Sequence, residues 1–437
     1  MNRIRQISVS EYDRIRVSDD GVGSCTLTSR EARSLRTLNK IHGREIFKFA
    51  DEESLIAQQF VGVAQVEGLL IEVLPKIDDL DESNARYNLV GMLCVALGMD
   101  ISEGHGALVG RQNFGLLEVL IRIFCDKLGA QLKRGIHRQY ESEEENLHHL
   151  QGRIAVAEQI RKNSANPERL FCRYEVLKED CTLNRVLKAA TRLLLSLSKH
   201  VANYRSLMEL HLMFESVEDI SPRTCLTADV PFNRLNERFK QVFQLAQLFL
   251  SGEPPDVGKG SHQSFALFFD MNVLFEEYIG RMAARHLSKD GCAVRLQGPH
   301  RHLAKDEADD RDVFTLRPDV VGMIAGQPSW IIDTKWKVLK PGQRNDGVIQ
   351  SDLYQMYAYS KCYDCPDVLL LYPHHKELGD IAGIRTSYRL TTFEPNLDAG
   401  EFSRVQIATI DIKDLAKVPG QLQRLIRARK HIGMSAH

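Results

Sequence analysis

Apolar positions along the chain change period three times, and each change predicts a different kind of structure. In residues 1–101 the pattern is β-like. Ile7 and Val9 alternate with polar neighbours, and the apolar runs Gly62-Val63-Ala64 and Ile71-Glu72-Val73-Leu74 flank a Glu67-Gly68 turn before ending at Pro75. From Gly115 the period becomes helical: Leu117, Leu120, Ile121, Phe124 and Leu128 share one stripe, and further helices are expected over Leu183–Val201 and Leu235–Leu250, the last burying Phe239, Val242, Phe243, Ala246 and Leu250. Pro254-Pro255-Asp256-Val257-Gly258-Lys259-Gly260 is the clearest linker. Three domains are therefore expected: a β-rich one over 1–110, a mainly helical one over 111–252, and a third, of α/β type, over 253–437.

The third domain alternates the two periods. A helix begins at Asp270, with Met271, Leu274, Phe275, Tyr278 and Met282 at helical spacing. The β-branched run Val320, Val321, Met323, Ile324, the turn chemistry of Gly326-Gln327-Pro328-Ser329 and the apolar Trp330-Ile331-Ile332 predict a strand hairpin. Asp352–Tyr359 reads as a second helix, with Gln355 and Tyr359 four positions apart on one face, and Val368–Pro373 as another strand.

Chemistry is concentrated on the hairpin. Asp319 opens its first strand, and the tripeptide Asp333-Thr334-Lys335 ends its second. Side chains alternate along a strand, so Asp333 and Lys335 project to one face while the Thr334 backbone carbonyl stays free as an oxygen donor. Two carboxylates on neighbouring strands suit a hard divalent cation, and an adjacent lysine suits the positioning or deprotonation of a water that attacks a phosphodiester. Each part alone is degenerate, and strand-end acids with a surface lysine would look the same.

The order helix, hairpin, helix, strand resembles the core of the PD-(D/E)XK nucleases, a mixed sheet flanked by helices. More specifically, Leu274-Phe275-Glu276, Arg317-Pro318-Asp319, Ile332-Asp333-Thr334-Lys335-Trp336-Lys337, Asp352–Tyr359 and Leu371-Tyr372-Pro373 resemble the McrC family, the nuclease subunits of McrBC modification-dependent restriction systems. Weaker similarity extends to Gly62–Ile77, Leu150-Gln151-Gly152-Arg153-Ile154 and Leu183–Lys188. The resemblance implies a DNA endonuclease with Mg²⁺ as cofactor, held by Asp319, Asp333, Thr334 and Glu276, with Lys335 catalytic beside them. Glu277 is the neighbour that could replace Glu276. Gln355, Tyr359 and Lys337 are candidates for contacting DNA or supporting the site.

The same resemblance implies two partners, double-stranded DNA and a McrB-like AAA+ GTPase hexamer, with residues 1–110 docking on the ring and stimulating it. In keeping with that division of labour, no Gly-X4-Gly-Lys-Ser/Thr phosphate loop is present, and Gly258-Lys259-Gly260 lacks both the glycine spacing and the hydroxyl residue. Two alternatives remain open: a PD-(D/E)XK nuclease that works without a GTPase in repair or mobile-element processing, and a non-catalytic activator of an AAA+ ring.

Composition narrows these readings. Across 437 residues the formal net charge is -1, so the whole chain has no bulk attraction for DNA and any DNA groove needs local asymmetry or a partner. Local candidates for phosphate contact are Lys335, Lys337, Lys340 and the Arg424, Arg427, Arg429, Lys430 cluster, the last equally well read as a solvated helix end. Nine scattered cysteines suggest a reducing, cytoplasmic setting, and Cys362-X-X-Cys365 lacks the second pair that zinc would need. No stretch is long and apolar enough to predict a membrane span. The acidic run Glu141–Glu145 with His148-His149 is expected to be a solvated helical face, and Asp306–Asp312 an exposed loop.

Overall fold

The computed structural model of the chain describes residues 5–19, 25–51, 53–66, 68–78, 80–99, 115–252, 264–288, 291–390 and 403–432, with the backbone alone at 429–432. The chain forms two compact units, residues 1–116 together with 268–437, and residues 117–267. The first unit joins in one body the two terminal regions that the hydropathy pattern divides. Buried polar ties explain why: Asn88 Nδ2 donates to the Ile412 and Lys413 carbonyls at 2.9 and 3.1 Å, and the indole of Trp336 donates to Glu11 at 2.9 Å. The expected linker Pro254–Gly260 and the turn residue Glu67 lie outside the described residues.

In the N-terminal part, alternation carries through: Ile7 and Val9 are buried, and Leu69–Leu74 pairs in parallel with Arg5–Ser10 and antiparallel with Phe60–Val66. Two helices that the β pattern does not predict accompany these strands. Ser29–His42 starts at a capping box in which Thr28 and Glu31 satisfy each other's backbone donors. Glu82–Ala96 starts at Asp81, whose side chain accepts from Asn84. Its residues from Asn88 to Val95 are all buried, so no one-sided stripe announces it.

The 117–267 unit has the expected helices, observed as Leu116–Leu132, Thr182–Leu197 and Lys240–Ser251, with Val201–Leu212 as a separate one. It also has a three-stranded antiparallel sheet in which Leu170–Lys178 lies between Gln139–Leu147 and Arg153–Ile154. The acidic run is therefore a strand rather than a helical face. Its charges are met across the ladder, where Arg173 pairs with Glu144, Lys178 with Glu141 and Glu143, and the Tyr174 hydroxyl with Glu145.

The part of the first unit that carries the candidate site is a six-stranded mixed sheet in the order Cys292–Leu296, Val320–Ile324, Gln327–Thr334, Asp367–Pro373, Arg404–Ile410, Ile384–Arg389. The first three strands run antiparallel to one another, and the next two pairings are parallel. The hairpin turn falls two residues earlier than the sequence suggests, at Ala325-Gly326, with φ of 49° and 80° as a two-residue type I′ turn requires. Pro328 is already inside the second strand, opposite Met323 where the register shifts. Nearby, a Cβ on Gly322 would lie 1.9 Å from the Trp330 ring, so the ring packs directly on backbone and only glycine fits.

Alternation sends Val321, Ile331, Val368, Leu370 and Tyr372 into one cluster with Met356, Tyr359 and Tyr363 of the Gln350–Cys362 helix. On the other face the Met271–Leu287 helix, capped by Asp270, buries Met271, Leu274, Phe275 and Tyr278 as expected and leaves Met282 half-buried, while its Gly280 lies against Leu296 and Val320. The Asp306–Asp312 run is exposed, at the tip of a ribbon formed by Arg301–Lys305 and Asp312–Leu316. Among the described residues no helix is long and apolar enough to cross a membrane.

Candidate active site

The hairpin register sets the site. Its last paired positions are Val320 and Ile332, and one step further the same register brings Asp319 opposite Asp333. Both share the parity of Val321 and Ile331, so they lie on the face covered by the Gln350–Cys362 helix. Asp319 is fixed by the neighbouring strand: its Oδ2 accepts from Thr334 N and from Thr334 Oγ1, each at 2.7 Å. Thr334 thus holds one acid with its amide and hydroxyl while following the other in sequence.

Lys335 Nζ lies 2.7 Å from Asp333 Oδ2 and donates to Gln355 Oε1 at 3.2 Å. The Asp333 contact is an ion pair by distance without hydrogen-bond alignment, and both carboxylate oxygens of this buried acid are left without an aligned donor. Gln355 Nε2 donates in turn to the Tyr359 hydroxyl at 2.7 Å, and that hydroxyl donates to the Arg317 carbonyl at 3.0 Å. The two helix residues therefore brace the lysine and tie it back to the strand that delivers Asp319.

The electrostatics follow from packing like charges into a dry place. Burial first, and the charge of Asp333 second, push the Asp319 carboxyl up to about 7 against the pull of the Thr334 donors. Asp333 is raised as well, by burial, with Lys335 working in the opposite sense; the two acids titrate together. Burial disfavours the charge on Lys335, but Asp333, Asp319 and Asp352 together outweigh it and the ammonium is held above its ordinary value. Two adjacent carboxylates here share one close ammonium, a deficit of positive charge that a divalent cation would meet.

Glu276 reaches the site from the opposite layer. Its helix packs on the Val320 face, its carboxyl is raised by burial and by Asp319, and its Oε1 accepts from Gln297 Nε2 at 2.9 Å. Its neighbour Glu277 pairs with Arg281 on the same helix at 3.3 Å. Among the described residues no three His, Cys, Asp or Glu side chains stand close enough together to hold a metal ion. The donor set nearest to hand is thus the Asp319 and Asp333 pair. Two carboxylates, one of them a buried Asp333 with no aligned hydrogen-bond donor, would suit a hard divalent cation such as Mg²⁺.

Other candidates are placed less centrally. Lys337 Nζ is 3.3 Å from Asp352 Oδ2, so that cation already has a partner. Lys340, Arg424 and Arg427 are exposed, and the side chains of Arg429 and Lys430 lie outside the described residues. Cys365 is buried, its Sγ 3.4 Å from the Asp367 carbonyl. Asp352 and Gln297 belong to the site but were not singled out from sequence. Asp352, also 3.4 Å from the Tyr372 hydroxyl, precedes Gln355 by three and so shares its helix face, a signal that was available. Gln297 carries no such signal.

Comparison with known proteins bears on the family and the fold. The chain matches the model of the McrBC 5-methylcytosine restriction system component family over residues 55–373. Among solved structures it is similar to a chain of the refined half-complex from a tetradecameric assembly of Thermococcus gammatolerans McrB AAA+ hexamers with bound McrC. That match has a TM-score of 0.69 and 21% identity, over 97% of this chain and 100% of that one. A chain of the cryo-EM structure of the Thermococcus gammatolerans McrBC complex matches with a TM-score of 0.52 and 27% identity, over 65% of this chain and 89% of that one. No curated protein matches. With the family model spanning more than half its length, the chain belongs to the McrBC 5-methylcytosine restriction system component family.

Proposed function

We propose that the chain is the DNA endonuclease subunit of a McrBC-like, type IV modification-dependent restriction system, with its six-stranded sheet and flanking helices forming a PD-(D/E)XK domain. The observation that carries this reading is the convergence of half-buried Asp319 and Lys335 on buried Asp333 at one end of adjacent strands. In this reading Asp319 and Asp333 hold Mg²⁺, with the Thr334 carbonyl as a further donor and Glu276 contributing directly or through a water. When bound, the cation supplies Lewis-acid polarisation of the phosphodiester and a water of lowered pKa.

The chain's own groups do the positioning. Lys335, set between Asp333 and Gln355, donates a hydrogen bond to the attacking water and offsets the negative charge that grows on the phosphate oxygens. Gln355 and Tyr359 keep the ammonium aimed, and because the site is buried these charges act at greater strength than in water. Lys337 reaches DNA only by exchanging its Asp352 partner.

The reading extends to partners. One matched structure holds McrB AAA+ hexamers with bound McrC and the other is a McrBC complex, which supports a McrB-like AAA+ partner; in this reading the partner is a GTPase hexamer whose hydrolysis the chain stimulates. Residues 1–110 are proposed as the docking part, and reading of the modified base is assigned to the partner. Double-stranded DNA is the substrate. The test is cleavage of modified DNA by the complex carrying Asp319→Ala, Asp333→Ala or Lys335→Ala. Each is expected to lower the rate by at least about 10²-fold. Parental rates in all three would remove the site assignment.

A further inference from the structure

Gln297 occupies an unusual position beside the acids. Its φ is 52°, the left-handed region that a non-glycine residue enters at a cost of roughly 1 kcal/mol or more. It keeps that conformation while three contacts hold it. Its backbone N–H donates to the Asp319 carbonyl at 2.9 Å, its Nε2 donates to Glu276 Oε1 at 2.9 Å, and its Oε1 accepts from the Arg317 guanidinium. The amide cannot be turned the other way, because a guanidinium only donates and an ionised carboxylate only accepts. One residue thus links Glu276 and Arg317 through its side chain and the backbone of Asp319 through its own.

Arg317 is held at both ends yet left exposed. Its carbonyl takes the Tyr359 hydroxyl at 3.0 Å, the following proline restricts its backbone to extended conformations, and its guanidinium is tethered by Gln297. Arg317 is exposed, and among the described residues the one hydrogen-bond partner of its guanidinium is Gln297, beside a cluster of acids that by itself repels a nucleic acid. A fixed guanidinium at that spot offers the bidentate geometry that phosphate oxygens favour.

We propose that Arg317 contacts a DNA phosphate next to the cleavage site and that Gln297 is its positioning residue, holding the guanidinium and the Glu276 carboxylate in one fixed relation to Asp319. The inference rests on the nuclease reading given above and adds to it a specific substrate contact and the residue that orients it.

The test uses the full chain assembled with its GTPase partner on modified duplex DNA. Equilibrium binding is measured with Ca²⁺ in place of Mg²⁺ over a range of salt, alongside single-turnover cleavage and Mn²⁺ affinity by electron paramagnetic resonance. Arg317→Ala is expected to weaken DNA binding and to reduce the slope of log K against log salt by about 0.9, the share of one phosphate contact, while Arg317→Lys keeps the slope. Gln297→Ala leaves the Arg317 charge in place but frees its orientation, so it is expected to keep the slope, to weaken DNA binding by a few-fold and to lower both cleavage and Mn²⁺ affinity by about 10-fold. Gln297→Glu preserves shape and the Arg317 partner but sets a second carboxylate against Glu276, so cleavage falls while DNA binding stays parental; it carries the test if the alanine variant fails to fold. A parental slope in Arg317→Ala overturns the phosphate contact, and parental cleavage and Mn²⁺ affinity in both Gln297 variants overturn the positioning role. If the parental complex itself does not cut, the nuclease reading fails, whereas the salt slope of binding still decides for or against Arg317.

Discussion

Burial of single carboxylates makes the strongest statements at the residue scale. Glu11 is fully buried, accepts from the Trp336 indole and the Lys76 amide, and is pushed up from an ordinary value near 4.5 to about 7, chiefly by burial. The folded chain therefore keeps a proton that the unfolded chain releases. Stability falls as pH rises from about 4.5 through about 7, by roughly 3 kcal/mol for this group once it is ionised. Glu11→Gln removes that loss, so the variant is expected to be more stable than the parent at pH 8 and to differ less at pH 5. Urea unfolding at the two pH values measures it, and a gap that does not widen with pH contradicts the account. Asp319, Asp333 and Lys335 could be read from sequence because their chemistry rests on strand alternation, which is local. Glu11 and Gln297 could not, because their partners lie hundreds or tens of residues away and neither sits in a periodic pattern.

Elements were legible where one face of them meets a core. The Met271–Leu287 helix emerges with nearly all its expected apolar positions buried, since half-burial imprints its period on the sequence, and the Asp367–Pro373 strand, buried on both faces, was legible instead as an unbroken apolar run. Where neither signal is present, the reading fails. The Glu82–Ala96 helix is buried nearly all round, and the Gln139–Leu147 strand is polar on both faces, its acids answered across the ladder by Arg173, Tyr174 and Lys178. The hairpin itself depends on one close approach. Gly322→Ala inserts a methyl 1.9 Å from the Trp330 ring, so the ring or the strand must shift. A cost of about 1–3 kcal/mol is expected, with a matching fall in cleavage as the Asp319 and Asp333 register loosens. Thermal melting with an unchanged midpoint would show that the bulge absorbs the methyl.

At the scale of the whole molecule, the two ends of the sequence meet in one unit. Glu11 hydrogen-bonds the residue after Lys335, Phe275 stacks edge-on against the same Trp336 at 5.4 Å, and Asn88 ties a helix of the N-terminal part to the Ile412 and Lys413 carbonyls. If, as proposed, residues 1–110 dock on the partner, these contacts give that event a short physical route to the Gln327–Thr334 strand and to Lys335 just beyond it. Sequence pattern finds both ends but not their union, because nothing in either records a partner at such separation. The reading of the site stands or falls on Asp333. Cleavage of modified duplex DNA and GTP turnover should be followed together in the complex assembled with Asp333→Asn, which keeps the shape and removes the charge. The account predicts DNA cleavage lowered by at least about 10²-fold with GTP turnover at the parental rate; cleavage at the parental rate would contradict it.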